Sequence, residues 1–393
     1  MPKSRLPSRG RSEIFQAHAR GIRSASGDAA PTFGLVTALP EEFYAMRALL
    51  EDPVHTRVPG DRADYVLGTL PSLGALLPHT VILTLTADVG THAAADACGS
   101  LVGGFPSVNA VVMAGIAAGV PRLRCPDMHI RLGDLVVATW GIVDYRHVVQ
   151  GVHGDELRQP FPRPSALLSR ADRMLQVGEY AGKRPWEKGL DLSRRDGLLG
   201  FRRPADETDV LHDRLDPDRI VLHPARRLSG HRRGLPKVHR GRIGSADVSM
   251  RSPEERDTLA ARHGLLAFEM EGAGIGNGSF LNGLEWFMVR GISDYGDGYA
   301  SMQWRRYASL AAAAYVRSLL EATPPTAPRG GYPLADGPVP GASRELHLLG
   351  QAEHMLGCGG AQSPDLLSLA LRGLLKQAPQ RAAPHLHSSR RGR

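Results

Sequence analysis

Acidic side chains follow two apolar runs within the segment 265–297, which reads LLAFEMEGAGIGNGSFLNGLEWFMVRGISDYGD. Glu269 and Glu271 lie on either side of Met270 at the end of the first run, and Asp294 follows the second run. A carboxylate can accept a proton, deliver one, or accept several hydrogen bonds, so these residues are candidates for acid and base chemistry. The pattern predicts a βαβ unit with its acids at the sheet edge where open α/β sheets place their sites.

The spacing of the two glutamates limits how both can act. Side chains alternate along an extended segment, so Glu269 and Glu271 are expected to face opposite sides, and at most one of them would line a site. Glu269 can instead be a structural acid that pairs with Arg290.

The motif at 269–273, EMEGA, is followed some twenty residues later by VRGISD at 289–294. In this order the two motifs resemble the signature of the nucleoside phosphorylase/nucleosidase superfamily, and in particular the methylthioadenosine/S-adenosylhomocysteine nucleosidases. The resemblance covers residues 33–145 and 240–320. It fails across the segment between them and in both tails.

This resemblance implies hydrolysis of the N-glycosidic bond in a purine nucleoside or nucleotide, which gives a free base and a sugar. Glu42 follows the first predicted strand, where these nucleosidases carry the acid that activates the attacking water. The same position also suits the dipole at the start of a helix, which is the structural alternative. By the same resemblance, Asp294 protonates the leaving base, Glu271 holds the ribose hydroxyls and Met270 packs on the sugar.

Further substrate contacts are implied in segments that approach the ligand closely. Gly115 and Ala117 lie in a glycine/alanine-rich turn that forms part of the base and ribose pocket in the family, and a glycine there lets the backbone come near a ligand. Met250 and Ser293, which lie in or beside the matched segments, complete the predicted substrate-binding set.

The sequence departs from the family at the position that stacks on the base. The nucleosidases usually place an aromatic residue where Ser249 falls, and aromatic stacking contributes much of the binding energy of a purine. Tyr295 and Trp140 are the candidates to replace it.

Water is favoured over phosphate as the attacking group. The related phosphorylases carry a G-D-P-x-R element after the first strand and an arginine near the second glycine turn, and these clamp phosphate. The corresponding segments here, 37–42 and 114–116, read TALPEE and AGI. A phosphate-dependent phosphorylase and a nucleotide-sensing module with little turnover remain the alternatives. In a further variant, arginines of the segment 150–242 bind the 5′-phosphate of a nucleotide.

Hydrophobic periodicity and cap signals predict the elements that position these residues, in a three-layer α/β/α sandwich with a mixed central sheet. Strands are predicted at 33–39, 65–70, 81–86, 109–114, 265–268 and 286–289. Helices are predicted from Pro40 and at 91–104, 166–181, 208–215, 252–263 and 304–321.

Composition divides the chain into segments. Residues 1–31 are predicted to be a disordered arm, and residues 32–322 the main domain, interrupted by a basic insertion at 150–242. A Pro/Gly-rich linker at 323–342 leads to a small helical appendage and basic tail at 343–393, which is a possible docking site for a partner.

The chain has 393 residues and a formal net charge of +8. Because the surplus lies mainly in the tails and the insertion, a solvated basic face is favoured over a nucleic-acid surface. The three cysteines are far apart, and the sequence has neither a run of apolar residues long enough to span a membrane nor a secretion signal, so a reducing cytoplasm is expected. No metal-ligand spacing or dinucleotide motif is present, so no cofactor or metal is expected. A homo-oligomer is expected from the resemblance.

Overall fold

A computed structural model describes residues 30–74, 77–152, 154–158, 163–216, 218–299 and 302–330. All of them belong to the unit formed by residues 1–331. The predicted arm before residue 30 and the appendage at 343–393 lie outside the described residues.

The described residues form fifteen strands and eight α-helices. The strands are β1 (Phe33–Thr37), β2 (Glu51–Thr56), β3 (Tyr65–Leu70), β4 (His79–Leu85), β5 (Ala110–Gly119), β6 (Leu135–Val137), β7 (Ile142–Asp144), β8 (Val148–Gly151), β9 (Gly154–Leu157), β10 (Leu211–His212), β11 (Ile220–Val221), β12 (Val238–Arg240), β13 (Arg242–Ser245), β14 (Leu265–Glu269) and β15 (Glu285–Asp294). The helices are α1 (Pro40–Arg47), α2 (Thr91–Gly104), α3 (Ala166–Tyr180), α4 (Trp186–Leu190), α5 (Arg226–Ser229), α6 (Pro253–His263), α7 (Gly272–Leu281) and α8 (Arg305–Glu321).

Eleven strands form one mixed sheet, which confirms the predicted class of fold. Eight of them follow the order β12-β6-β15-β5-β1-β4-β3-β2, and β14, β13 and β7 continue from the far end of β5. At the centre, β4, β1, β5 and β15 run parallel. Strands β3 and β6 run antiparallel to their neighbours β4 and β15.

Helices cover both faces of the sheet. Because side chains alternate along each strand, Val112 of β5 joins a core with α1, α3, α4 and α8, whereas the adjacent Val111 joins a core with α2 and α7. The structure is therefore the expected three-layer sandwich.

The prediction of a βαβ unit at 265–297 is right in its element order and wrong in its topology. Strand β14 runs antiparallel to β5, while β15 runs parallel to β5 along most of its length. Both strands pair with β5 instead of with each other. Strand β14 pairs only with the last residues of β5.

Two local predictions are also wrong. The predicted turn at 115–120 continues β5 as far as Gly119, since small residues can extend a strand while they bring neighbouring side chains close. The predicted helix at 208–215 is a single 3₁₀ turn at Asp206–Thr208 followed by the short strand β10. Long-range contacts, and not the hydrophobic periodicity of the segment, determine its structure.

Helix α6 shows the predicted caps at both ends. The Ser252 hydroxyl accepts a hydrogen bond from the N–H of Glu255 at 3.2 Å. Gly264 then ends the helix in the left-handed conformation at φ 68°, which favours glycine. The helix therefore delivers the chain into β14 and its glutamates.

The segment 150–242, which was predicted to be an insertion, contains the end of the β8–β9 hairpin, helices α3 to α5, the β10–β11 pair and β12, and ends at the start of β13. Among the described residues, no helix is both long and apolar enough to cross a membrane.

Candidate active site

Glu42 lies on the first turn of α1, directly after β1, and its carboxylate is buried. One oxygen accepts hydrogen bonds from the N–H groups of Ala38 at 2.8 Å and Leu39 at 3.0 Å. The other accepts the N–H of Ile116 on β5 at 2.8 Å. Burial raises the pKa of Glu42, against the lowering effect of Arg290 and the three N–H groups. The side chain thus joins the segment that follows β1 to β5, which a surface residue that only complements the helix dipole would not do.

Arg290 on β15 is fully buried and carries the positive charge of the cluster. Its guanidinium donates to Glu269, and to Glu271 at 3.1 Å. Gly115 on the neighbouring β5 makes this approach possible, because a Cβ there would lie 2.1 Å from Arg290 Nη1 and 2.7 Å from Glu42 Oε1. The missing side chain at Gly115 therefore leaves the space that Arg290 and Glu42 occupy.

Glu269 is the structural partner of Arg290 that the sequence analysis considered. It also accepts hydrogen bonds from the N–H groups of Glu271 at 3.0 Å and Gly272 at 2.9 Å. These contacts anchor the start of α7.

Glu271 occupies the N-cap position of α7, with backbone angles φ −108° and ψ −24°. One oxygen accepts the N–H of Gly90 at 3.1 Å. Burial raises the pKa of Glu271 to about 7; Arg290 opposes the shift, and the charges of Glu269 and Glu42 add to it.

The expectation that at most one of the two glutamates lines a site is wrong. Glu269 and Glu271 both line the same cavity. The alternation rule holds only for extended backbone, and the chain leaves β14 after Glu269 and turns into α7.

Asp294 is the last residue of β15 and is partly exposed. Its oxygens accept hydrogen bonds from the Ser293 hydroxyl and from the N–H of Gly296, both at 2.9 Å. The carboxyl is therefore held in one orientation at the end of the sheet.

Glu42, Glu271 and Asp294 line one cavity of about 230 Å³. This volume lies just below the roughly 300–1,000 Å³ typical of sites for drug-sized ligands, so it suits a small ligand. The predicted substrate-binding residues Ala117, Met250, Met270 and Ser293 line it as well. Gly115 does not line the cavity and lies behind it, against Glu42 and Arg290.

Neither aromatic residue proposed to replace the missing base-stacking side chain lines this cavity. Trp140 is 71% exposed, and Tyr295 is buried with its hydroxyl donating to Asp209 at 2.6 Å. Phe268, on β14, is the aromatic residue in the described lining. Its apolar run predicts a buried strand, and its place next to Glu269 was the signal that could have identified it as a lining residue.

Two arginines in the lining were also missed. Arg251 follows the Ser249 segment, and Arg305 begins α8 and pairs with Glu41 at 3.2 Å. No described residue of the insertion 150–242 lines the cavity.

A mixed sheet between two helical layers, with buried acids gathered at one cavity, is an arrangement suited to acid and base chemistry on a small molecule. The family model described as the phosphorylase superfamily matches residues 32–321. The chain belongs to this superfamily.

Relatives differ in how much of their length this chain spans. A nucleotide-binding leucine-rich repeat (NLR)-like protein of Hyaloscypha variabilis is 29% identical over 298 residues, which are 73% of this chain and 29% of that protein. The chain therefore spans less than a third of that relative. A 5′-methylthioadenosine/S-adenosylhomocysteine nucleosidase of Mycobacterium bovis is 24% identical over 300 residues, which are 75% of this chain and 98% of that protein.

Solved structures share the fold. The 5′-methylthioadenosine/S-adenosylhomocysteine nucleosidase of Neisseria meningitidis in complex with methylthio-immucillin-A superposes with a TM-score of 0.51 at 17% identity, over 74% of this chain and 99% of that one. Futalosine hydrolase of Helicobacter pylori gives a TM-score of 0.50 at 17% identity, over 74% and 98%.

Proposed function

We propose that the protein hydrolyses the N-glycosidic bond of a purine nucleoside or nucleotide and releases the free base and the sugar. The observation that carries this proposal is the meeting of Glu42, Glu271 and Asp294 in one cavity, although 252 positions separate the first from the last. The relationship to nucleosidases supports the same class of reaction.

Glu42 activates the attacking water in this proposal. An ionised carboxylate has about four lone-pair sites, and three backbone N–H groups occupy three of them on Glu42. One acceptor site is left for a water molecule. The raised pKa makes the carboxylate a stronger base, which helps it to take the proton as the water oxygen bonds to the anomeric carbon.

Glu271 and Asp294 act on the two halves of the substrate. Glu271 has one oxygen near Arg290 and one near Gly90, and its remaining lone pairs accept the ribose hydroxyls. Asp294 delivers a proton to the base as the bond electrons flow into it, so an oxocarbenium-like sugar forms beside a neutral leaving group. Phe268 is the described side chain available to stack on the base, and Met270 packs on the sugar.

Charge in the cavity favours water over phosphate. Arg290, the buried cation beside Glu42, already pairs with Glu269 and Glu271. An inorganic phosphate in this place would lie against the carboxylate of Glu42, and Arg290, the described arginine beside that carboxylate, is already neutralised by two acids.

Nucleotides are included among the substrates because of Arg251 and Arg305 in the lining. The insertion 150–242 is not the proposed phosphate-binding element, since none of its described residues reaches the cavity. A 5′-phosphate would instead meet these two guanidinium groups.

Base release from a panel of purine nucleosides and their 5′-phosphates, measured by chromatography with and without inorganic phosphate, tests the proposal. We expect release without phosphate and a rate about 10²–10⁴-fold lower in Glu42→Gln, the range for loss of a general base. Glu41→Gln is the matched control, because the neighbouring acid pairs with Arg305 and does not line the cavity. With a nucleoside it should retain the rate.

Two outcomes would contradict hydrolysis. Release that requires phosphate would identify a phosphorylase. Equilibrium binding of a nucleotide without base release after long incubation would identify a sensing module.

A further inference from the structure

A second buried cluster lies away from the cavity, at the edge of the sheet. Asp134 precedes β6, His239 lies on the neighbouring β12, and His231 follows α5 in the insertion. Their side chains are 2%, 6% and 2% exposed. One ligand atom from each residue lies within 4.8 Å of the ligand atoms of the other two.

We propose that Asp134, His231 and His239 bind a divalent transition-metal ion of the zinc class. Two imidazoles and one carboxylate are a donor set that such ions accept. The proposal concerns structure and is independent of the reaction proposed for the cavity.

Hydrogen bonding alone leaves this cluster unbalanced. Asp134 Oδ2 lies 2.7 Å from His231 Nε2 and 3.1 Å from His239 Nε2, and it also accepts the N–H of Arg131 at 2.8 Å. A carboxylate oxygen has two lone pairs, so the three donors around this one atom outnumber its lone pairs. A metal ion removes the excess, because it takes one lone pair from each of the three ligand atoms and leaves the second lone pair of Oδ2 for Arg131.

The distances fit an ion after a small expansion. Tetrahedral ligands at about 2.0–2.1 Å from zinc lie roughly 3.3 Å from each other. The observed separations of 2.7 and 3.1 Å between Asp134 Oδ2 and the two nitrogens are shorter than this by a few tenths of an ångström. Three protein ligands leave a further position for water.

The hydrogen bond at the second ring nitrogen of His231 is typical of a metal ligand. Its Nδ1 lies 2.8 Å from the Ser229 hydroxyl, which can itself donate a hydrogen bond to the carbonyl oxygen of Ala225 or Arg226 at 3.4 Å. When the Ser229 hydroxyl donates a hydrogen bond to one of these carbonyl oxygens, His231 Nδ1 donates to the Ser229 oxygen, and Nε2 keeps its lone pair. Such a partner on the second ring nitrogen is the usual support of a metal-binding histidine.

The neighbouring histidines are engaged elsewhere. His129 Nδ1 accepts the N–H of Arg122 at 3.1 Å, and its Nε2 faces His223 Nδ1 at 2.9 Å. His223 Nε2 lies 2.9 Å from the carbonyl oxygen of Asp209. All four ring nitrogens of this pair have protein partners, so the pair supplies a control of the same residue type.

An ion here would tie His231, which follows α5, to β12 and to the start of β6.

The test uses the full-length protein without a polyhistidine tag. We expect about one zinc ion per chain by elemental analysis, and after chelation a Co²⁺ absorption spectrum typical of nitrogen and oxygen ligands. His231→Ala and His239→Ala should lose the ion. Ser229→Ala should bind it about 10–100-fold more weakly, the range for loss of such a supporting contact. His223→Gln should bind like the unaltered protein.

Absence of stoichiometric Zn²⁺ or Co²⁺ binding by the unaltered chain would overturn the proposal and leave a hydrogen-bonded cluster. Equal binding by the His231 and His223 variants would also overturn it. The measurements on the unaltered chain decide the question even when a ligand variant does not fold.

Discussion

At the scale of single residues, the cavity is governed by the charge balance around Arg290. This guanidinium lies among the carboxylates of Glu42, Glu269 and Glu271, and all four groups are buried. Glu269 makes the closest contact with Arg290 and accepts two further N–H groups. Burial raises the pKa values of Glu42 and Glu271, and the single cation Arg290 only partly opposes these shifts.

This balance predicts that activity rises with pH through about 7, because the water-activating Glu42 and the ribose-binding Glu271 both act in ionised form. The measurement is kcat/KM for base release between about pH 5 and 9. A profile without a rise on the acidic side would contradict the assigned roles.

The free energy of unfolding should fall as the pH rises over the same range. The folded pKa of Glu271 lies above its unfolded value of 4.5, so the folded protein binds the proton more tightly. This contribution is complete below about pH 4.5 and is lost as the pH rises through about 7. Urea unfolding should show a loss of roughly 1–3 kcal/mol across this window. Glu271→Gln, which cannot ionise, should show a smaller loss; an unchanged slope would contradict the assignment.

At the scale of elements, the close packing of α7 on α2 positions Glu271 beside Gly90. A Cβ at Gly274 would lie 2.0 Å from the carbonyl oxygen of Thr91, and one at Gly278 would lie 2.8 Å from Cys98 Cβ. The glycines of α7 therefore let the two helices approach, at the cost of some helix propensity.

Gly274→Ala is predicted to separate these helices. We expect the free energy of unfolding to fall by roughly 1–3 kcal/mol, as in overpacked cores, and base release to slow because Glu271 moves away from Gly90. Denaturant unfolding and the release assay measure both effects.

Gly99→Ala on α2 is the matched control, because among the described residues no atom outside the local helix lies within 4 Å of its Cβ position. It should leave activity intact and raise stability by about 0.5–1 kcal/mol. Equal behaviour of the two variants would show that close packing at Gly274 is unimportant.

Periodicity located most of these elements. Helix α2 has its predicted bounds, α6 its predicted caps, and β3 its predicted residues. Local periodicity does not reveal which strands pair with each other. The antiparallel pairing of β14 with β5 was therefore missed.

At the scale of the whole molecule, the described residues that line the cavity belong to the unit 1–331, and the superfamily match ends at residue 321. The net charge of +8 therefore says little about the cavity, whose chemistry depends on a few buried groups.

A chain ending at residue 331 is predicted to retain the fold and base release. The expected result is a melting temperature within a few degrees of that of the full chain, a difference of about 1 kcal/mol or less, and an unchanged kcat. Thermal unfolding and the release assay test this. An inactive or insoluble product would show that residues 332–393 support the site.

The class of fold could be predicted from the sequence, because apolar periodicity is a local property of the chain. The three acids of the proposed reaction were predicted from short motifs that resemble those of the superfamily. Tertiary structure alone decided which side chains share a cavity. It turned Glu269 and Glu271 toward the same space, left Trp140 at the surface, and brought Asp134 to two histidines about a hundred positions away. Such contacts depend on strand order and helix packing, which bring together residues that are far apart in the sequence.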